Sequence, residues 1–233
     1  MKQLLKSLFD KYKIAYTTKQ LEQMQKFYEY VIEENKKFNL TAIVEKQDFA
    51  IKHLLDCVLP AELLPFGASV IDIGAGAGFP SIPLKILRPD LKITMLDSLN
   101  KRVNFLNSAV ELIGLSDIHA VHARAEDYAI LKREKFDVAI ARAVAGLNTL
   151  SEYCLPFVKV GGAFVALKGA SYNEELDLAQ NAITMLGGKV QSVQKIYVEE
   201  IDSQRANIVV AKVKPTNSKY PRGKNLPRLK PLA

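Results

Sequence analysis

The chain has 233 residues, of which 32 are lysine or arginine and 25 are aspartate or glutamate, for a formal net charge of +7. That length suits one full domain with a small appendage, and a hydrophobic fraction of 48% provides for a substantial core. No apolar run approaches a membrane span, and the charges interleaved in the first ten residues exclude a secretory signal; Cys57 and Cys154 lie in apolar surroundings without metal-ligand spacing, as two reduced, buried thiols of a cytoplasmic protein do.

Residues 1–66 read as a helical extension. Leu21, Met24, Phe27, Val31 and Ile32 recur at helical spacing, and Thr17 with Gln20 forms a capping-box pattern ahead of them. Asn39-Leu-Thr41 breaks the pattern. A second helix is predicted over 46–64, with Pro60 ending or kinking it. On that helix His53 and Asp56 are three residues apart, close enough to pair on one face.

From Ser69 the pattern changes to strands alternating with helices, which implies right-handed crossovers and a parallel sheet over 67–213. Strands are predicted at Val70–Ile73, Ile93–Leu96, Ile118–Val121, Val138–Ala141 and Ala163–Leu167, and the clearest helix runs from Asn100 to Leu112 with Gly114 as its C-cap. Gly188–Val198 and Ile208–Val213 have little room for a helix between them and read as an antiparallel hairpin closing the sheet edge. His119 and His122 fall on the third strand. No cluster of His, Cys and carboxylates has metal spacing, so no metal is expected.

The first strand runs directly into Gly74-Ala-Gly76-Ala-Gly78-Phe79-Pro80. Glycines there permit positive φ and remove Cβ atoms from the path of a ligand, and Pro80 fits the first turn of a helix. Strand, bare turn and helix N-terminus together make a cradle for a nucleotide-type cofactor. The next strand ends in Asp97, a carboxylate placed to accept from both hydroxyls of a ribose. Phe79 stands where a dinucleotide fingerprint has its third glycine, which weighs against a nicotinamide-dependent oxidoreductase. Arg124-Ala-Glu126-Asp127 follows the third strand and can meet an adenine edge, and Arg142 ends the fourth, where open α/β sheets bind ligands.

The last 22 residues, Lys212 to Ala233, contain seven cations and no acid, so residues 1–211 are balanced. With four prolines, residues 214–233 read as an extended basic tail, a strap for phosphates. Lys101 and Arg102, opening the helix after Asp97, and Lys168, after the fifth strand, are further phosphate candidates near the site mouth.

Asp72-x-Gly74-x-Gly76-x-Gly78 followed by Asp97 resembles the signature of class I S-adenosylmethionine-dependent methyltransferases. More specific stretches run end to end: Asn39-Leu-Thr-Ala42, His53-Leu-Leu-Asp56, the Phe79-Pro80 ending of the glycine loop, Leu96-Asp-Ser98, Lys101-Arg-Val103, Phe136-Asp137, Ala141-Arg-Ala143, Ala166-Leu-Lys-Gly169 and Tyr220-Pro-Arg222. With them the chain resembles the bacterial small-subunit ribosomal RNA guanine-N7 methyltransferases, the RsmG or glucose-inhibited division protein B family. Gly223-Lys-Asn-Leu-Pro227 departs from the more basic glycine-threonine-proline stretch of that family.

The resemblance implies an α/β, Rossmann-like class I methyltransferase fold: a mostly parallel sheet with a C-terminal antiparallel hairpin and an N-terminal helical extension. It implies S-adenosylmethionine as cofactor, N7 of one guanine in 16S ribosomal RNA as acceptor, and the small ribosomal subunit as partner, in the cytoplasm. Cofactor contacts implied by resemblance are Gly74, Phe79, Ala125, Glu126 and Arg142; Gly76, Gly78 and Asp97 join them from the loop and strand reading. RNA contacts are expected from Lys101, Arg102, Arg142, Lys168, Arg222, Lys224 and Arg228. Guanine N7 carries a free lone pair, so the reaction needs no general base, and no catalytic residue is named; a monomer is the default. The other readings to be separated are a non-catalytic RNA-binding assembly protein, the nicotinamide enzyme, and a methyltransferase of proteins or small molecules.

Overall fold

The computed structural model describes residues 1–232. Helices α1 (Lys2–Lys11) and α2 (Thr18–Asn35) come first. The capping box opens α2: Thr17 Oγ1 accepts from Gln20 N at 3.3 Å, and Gln20 Oε1 accepts from Thr17 N at 2.8 Å. The predicted helix over 46–64 runs unbroken through α3 (Lys46–Phe49), a π-helical turn (Ala50–Leu55) and α4 (Asp56–Val58), and ends in a turn at Pro60. A proline cannot supply the N–H that an α-helix would need there.

Seven strands form one sheet: β1 (Ser69–Ile73), β2 (Lys92–Asp97), β3 (Ile118–His122), β4 (Phe136–Arg142), β5 (Val158–Lys168), β6 (Gly188–Val198) and β7 (Ser203–Lys212), in the order β3-β2-β1-β4-β5-β7-β6. Strands β1 to β5 run parallel; β7 is antiparallel to β5, and β6 to β7. The expected hairpin thus closes the edge, its second strand inserted against β5. Strand β1 is buried along nearly its whole length, as its apolar Val70-Ile71 run requires of a central parallel strand. The strand order reverses between β1 and its two neighbours, which opens a crevice at their carboxyl ends.

Crossover helices α5 (Ser81–Leu87), α6 (Asn100–Ile113), α7 (Ala125–Leu131), α8 (Leu147–Cys154) and α9 (Tyr172–Met185) cover both faces. Gly114 ends α6 in the left-handed conformation, as predicted. The N-terminal helices are bound to this scaffold by more than apolar packing. Gln20 Nε2 donates to Ile86 O and Leu87 O, and Gln23 Nε2 to Ile113 O, so α2 satisfies carbonyls that the ends of α5 and α6 leave open. Cys57 and Cys154 are buried free thiols, and burial pushes Cys57 up to about 12. Among the described residues no helix is long and apolar enough to cross a membrane.

The C-terminal segment corrects the expectation of an extended strap. It folds back on the domain and ends in a helical turn, α10 (Leu226–Leu229). Lys212 is fully buried, donating to Leu155 O, Val158 O and Thr216 Oγ1. Tyr220 and Pro227 are buried, and Thr149 Oγ1 donates to Pro227 O at 3.0 Å. The physical reason is an acid that the tail itself lacks. Glu152 on α8, with no exposed surface, accepts from Arg222 N at 2.8 Å and from its guanidinium at 2.7–3.2 Å.

Candidate active site

Two adjoining cavities open at the carboxyl ends of β1, β2, β4 and β5. The first, of about 430 Å³, has Gly74, Asp97, Ala125, Glu126 and Val144 among its lining residues. The glycine loop at its base needs glycine for two different reasons. Gly74, at φ +76°, passes so close to Val144 that a Cβ would meet Val144 Cγ2 at 2.8 Å, whereas at Gly76, φ +57°, a Cβ would meet only a carbonyl oxygen 3.8 Å away, leaving open space. Gly78 lets the loop pack on Ile82 and Leu106.

Asp97 is 3% exposed. Its Oδ2 accepts from Gly76 N and its Oδ1 from Leu99 N, both at 2.9 Å, so the two amides fix the carboxylate while each oxygen keeps a lone pair. Asp72 lies wholly buried behind the loop, with Ser81 Oγ donating to its Oδ2 at 2.7 Å; burial pushes this carboxyl up to about 7. Glu126 is buried at the start of α7, with Arg124 3.8 Å away. Ile73, Leu96, Val144 and Tyr153 supply apolar walls. Bare backbone below, a carboxylate with free lone pairs on one side and apolar surface on the other fit a nucleoside carrying a positively charged substituent, as S-adenosylmethionine does.

Of the residues expected to touch the cofactor, Gly74, Asp97, Ala125 and Glu126 line this cavity, as do Arg102 and Arg228, which were expected on RNA. Gly76, Gly78 and Arg142 do not line it, and neither does Phe79. Its ring is buried between Phe27, Phe49 and His53, stacked on the last at 4.2 Å. Tyr153 and Asn225 were not foreseen: Tyr153 comes from α8, and Asn225 reaches the cavity because the C-terminal segment docks on that helix.

The second cavity, of about 640 Å³, shares Ala143 and Val144 with the first. Ala143 is held at φ +56°, a conformation rare outside glycine. Arg142 faces this second cavity. Its guanidinium donates to Lys52 O (2.8 Å) and Asp56 Oδ2 (3.0 Å), meets His53 Nδ1 at 2.9 Å, and lies 5.2 Å from the Phe79 ring centre. His53 therefore pairs with Arg142 and, through Nε2, with Thr41 Oγ1 at 2.8 Å, while Asp56 takes Arg142 and Arg205. The expected His53–Asp56 pair gives way to this network because an arginine from β4 comes between them. Burial, then the Arg142 charge, holds His53 down at about 3.

Other cations expected on phosphate are differently placed. Lys168 is buried, 2.6 Å from Glu175. Arg222 is bound to Glu152, which makes it the anchor of the tail rather than a free charge. Lys101, Lys224 and Arg228 are exposed. Arg205, at the rim of the second cavity, had no signal in the sequence beyond its charge.

A family model described as rRNA small subunit methyltransferase G (GidB) matches residues 20–206. A protein named ribosomal RNA small subunit methyltransferase G from Clostridium botulinum (strain Loch Maree / Type A3) is 46% identical over 233 residues, covering 98% of each chain. One of the same name from Lactobacillus acidophilus is 47% identical over 228 residues, covering 95% of each. Among solved structures, a mutant of MtNAS in complex with S-adenosylmethionine superposes with a TM-score of 0.59 over 82% of this chain and 72% of that one, at 15% identity. M. jannaschii TYW2 in complex with AdoMet superposes with a TM-score of 0.57 over 74% and 80%, at 16% identity. Identities this low speak for the fold alone, an α/β Rossmann-like sheet.

Proposed function

The chain belongs to the rRNA small subunit methyltransferase G family, and from that premise we propose that it methylates N7 of one guanine in 16S ribosomal RNA, with S-adenosylmethionine as donor. The observation that carries this reading is the pair of cavities meeting at Ala143 and Val144: one suited to a nucleoside, the other bordered by paired charges and large enough for a base. S-adenosylmethionine supplies a methyl group already activated by its sulfonium.

The protein's part is to hold, orient and exclude water. Gly74 and Gly76 let the backbone approach the cofactor, and Asp97 receives the ribose hydroxyls on its remaining lone pairs. Glu126 and the Ala125 amide take the adenine edge. Since guanine N7 has a free lone pair at neutral pH, no side chain has to remove a proton first. Positioning of N7 against the shared wall is then the main contribution to rate. The acceptor must leave its stack to enter the second cavity. Arg228 in the first cavity, Arg205 at the second, and the exposed Lys101 and Lys224 are the cations available to the flanking phosphates. Arg142 acts from beneath: it holds the His53–Asp56 segment against β4 and so shapes the cavity. A monomer working in the cytoplasm, where ribosomal subunits are assembled, completes this reading.

The test is transfer of label from S-adenosylmethionine to small subunits that lack the modification, followed by nucleoside analysis. A single 7-methylguanosine site is the expected product. Tight S-adenosylhomocysteine binding without transfer would move the acceptor elsewhere.

A further inference from the structure

The second cavity contains an ion pair that the reading above leaves without a role. Lys168 ends β5, and Glu175 lies in the first turn of α9. The Lys168 ammonium donates to Ala145 O at 2.8 Å and to Glu175 Oε2 at 2.6 Å, which leaves one of its three protons. Glu175 Oε2 also accepts from Leu147 N at 2.9 Å, but Glu175 Oε1 has no hydrogen-bond partner among the described residues. The other carboxylate of the cavity differs: Asp56 has both oxygens taken, Oδ2 by Arg142 and Oδ1 by Arg205. One donor and one whole acceptor oxygen are therefore left side by side on a wall of the cavity.

We propose that Lys168 and Glu175 select the acceptor base: Lys168 donates to guanine O6, and Glu175 accepts from N1–H and the 2-amino group. This rests on the methyl-transfer reading above. The Watson–Crick edge of guanine runs acceptor, donor, donor, the complement of an ammonium beside a carboxylate. Adenine offers a donor where Lys168 needs an acceptor, and an acceptor where Glu175 needs a donor, so it meets two mismatches. The placement also aims the base. With that edge held between β5 and α9, the imidazole end carrying N7 is directed back across β4 toward Ala143 and Val144, which both cavities share. The base becomes cationic as its new N–CH₃ bond forms, and the Glu175 carboxylate then faces a positive charge, a term that grows toward the transition state.

The test separates base reading from fold support. Wild-type protein first locates the methylated position; small subunits are then rebuilt around RNA carrying inosine there. Inosine keeps N7, O6 and N1–H and lacks only the 2-amino group. The wild type should lose roughly 10-fold or more in kcat/KM on inosine, the worth of one hydrogen bond to a charged group. Glu175→Ala should lower transfer to guanosine while bringing the guanosine-to-inosine ratio near one, with S-adenosylhomocysteine affinity unchanged. Equal turnover of both subunits by the wild type overturns the assignment without recourse to any variant. So does a Glu175→Ala protein that keeps the wild-type ratio. Absence of transfer to guanosine subunits would remove the reaction itself, a different failure from indifference to inosine.

Discussion

The first cavity takes its shape from backbone, and the second from charge. In the first, three residues with positive φ, a carboxylate fixed by two amides and the start of a helix lie within one β-α-β unit and the strand end that follows. In the second, Asp56 comes from the N-terminal helices, Arg142 from β4, Lys168 from β5, Glu175 from α9 and Arg205 from β7. A backbone cradle tolerates almost no change at its glycines, and distant parts of the fold, Tyr153, Asn225 and Arg228 among them, supply only its walls. A cavity built of paired charges depends on every element that contributes a partner, and it responds to pH and salt.

The largest effect should come from breaking the backbone cavity alone. Gly74→Ala puts a Cβ 2.8 Å from Val144 Cγ2 and forces a left-handed conformation that costs an ordinary residue about 1–2 kcal/mol. S-adenosylhomocysteine affinity, measured calorimetrically, should fall at least about tenfold, while RNA affinity stays as it was. Next is the wall that the C-terminal segment lends to that cavity. Glu152→Ala removes the buried partner of Arg222 and should cost about 1–3 kcal/mol of docking. Trypsin should then cut at Lys219, Arg222 or Lys224 under conditions that spare the wild type, and cofactor affinity should fall several-fold.

The charge-built cavity is tested by pH. The folded state holds His53 at about 3 against an ordinary 6.5, so it binds fewer protons there than the unfolded chain does. The stability tied to neutral His53 is complete above 6.5 and is lost as pH falls from there toward 3. His53→Gln should flatten that acid limb in denaturant titrations and leave the curve above pH 7 unchanged. The smallest effect belongs to the rim. Lys101→Ala should leave cofactor binding and stability alone and reduce the salt slope of RNA binding by roughly one.

The same contrast explains what could be read from the chain. The sheet, the hairpin, the Thr17–Gln20 capping box and the Gly114 cap were legible because periodicity and local backbone rules fix each of them over a few residues. The Asp97 end of β2 was legible for the same reason. The partners of His53 and Asp56 were not, since Arg142 is 86 residues from Asp56 and Arg205 149. Nor was the docking of the basic tail, because Glu152 on α8 and its partner Arg222 are 70 residues apart. Lys168 looked like a free cation because Glu175, seven residues on, is brought back to it only by the start of α9.

The wall that Asn225 and Arg228 lend to the first cavity also fixes an order of events during synthesis. The glycine loop and Asp97 are synthesised more than 120 residues ahead of that wall. At about 5–20 residues per second, the segment that completes the cavity follows on the order of ten seconds later. A nascent chain can therefore form the floor of the cavity well before its wall. Tight cofactor binding then waits for residues 225–228 to be made and docked.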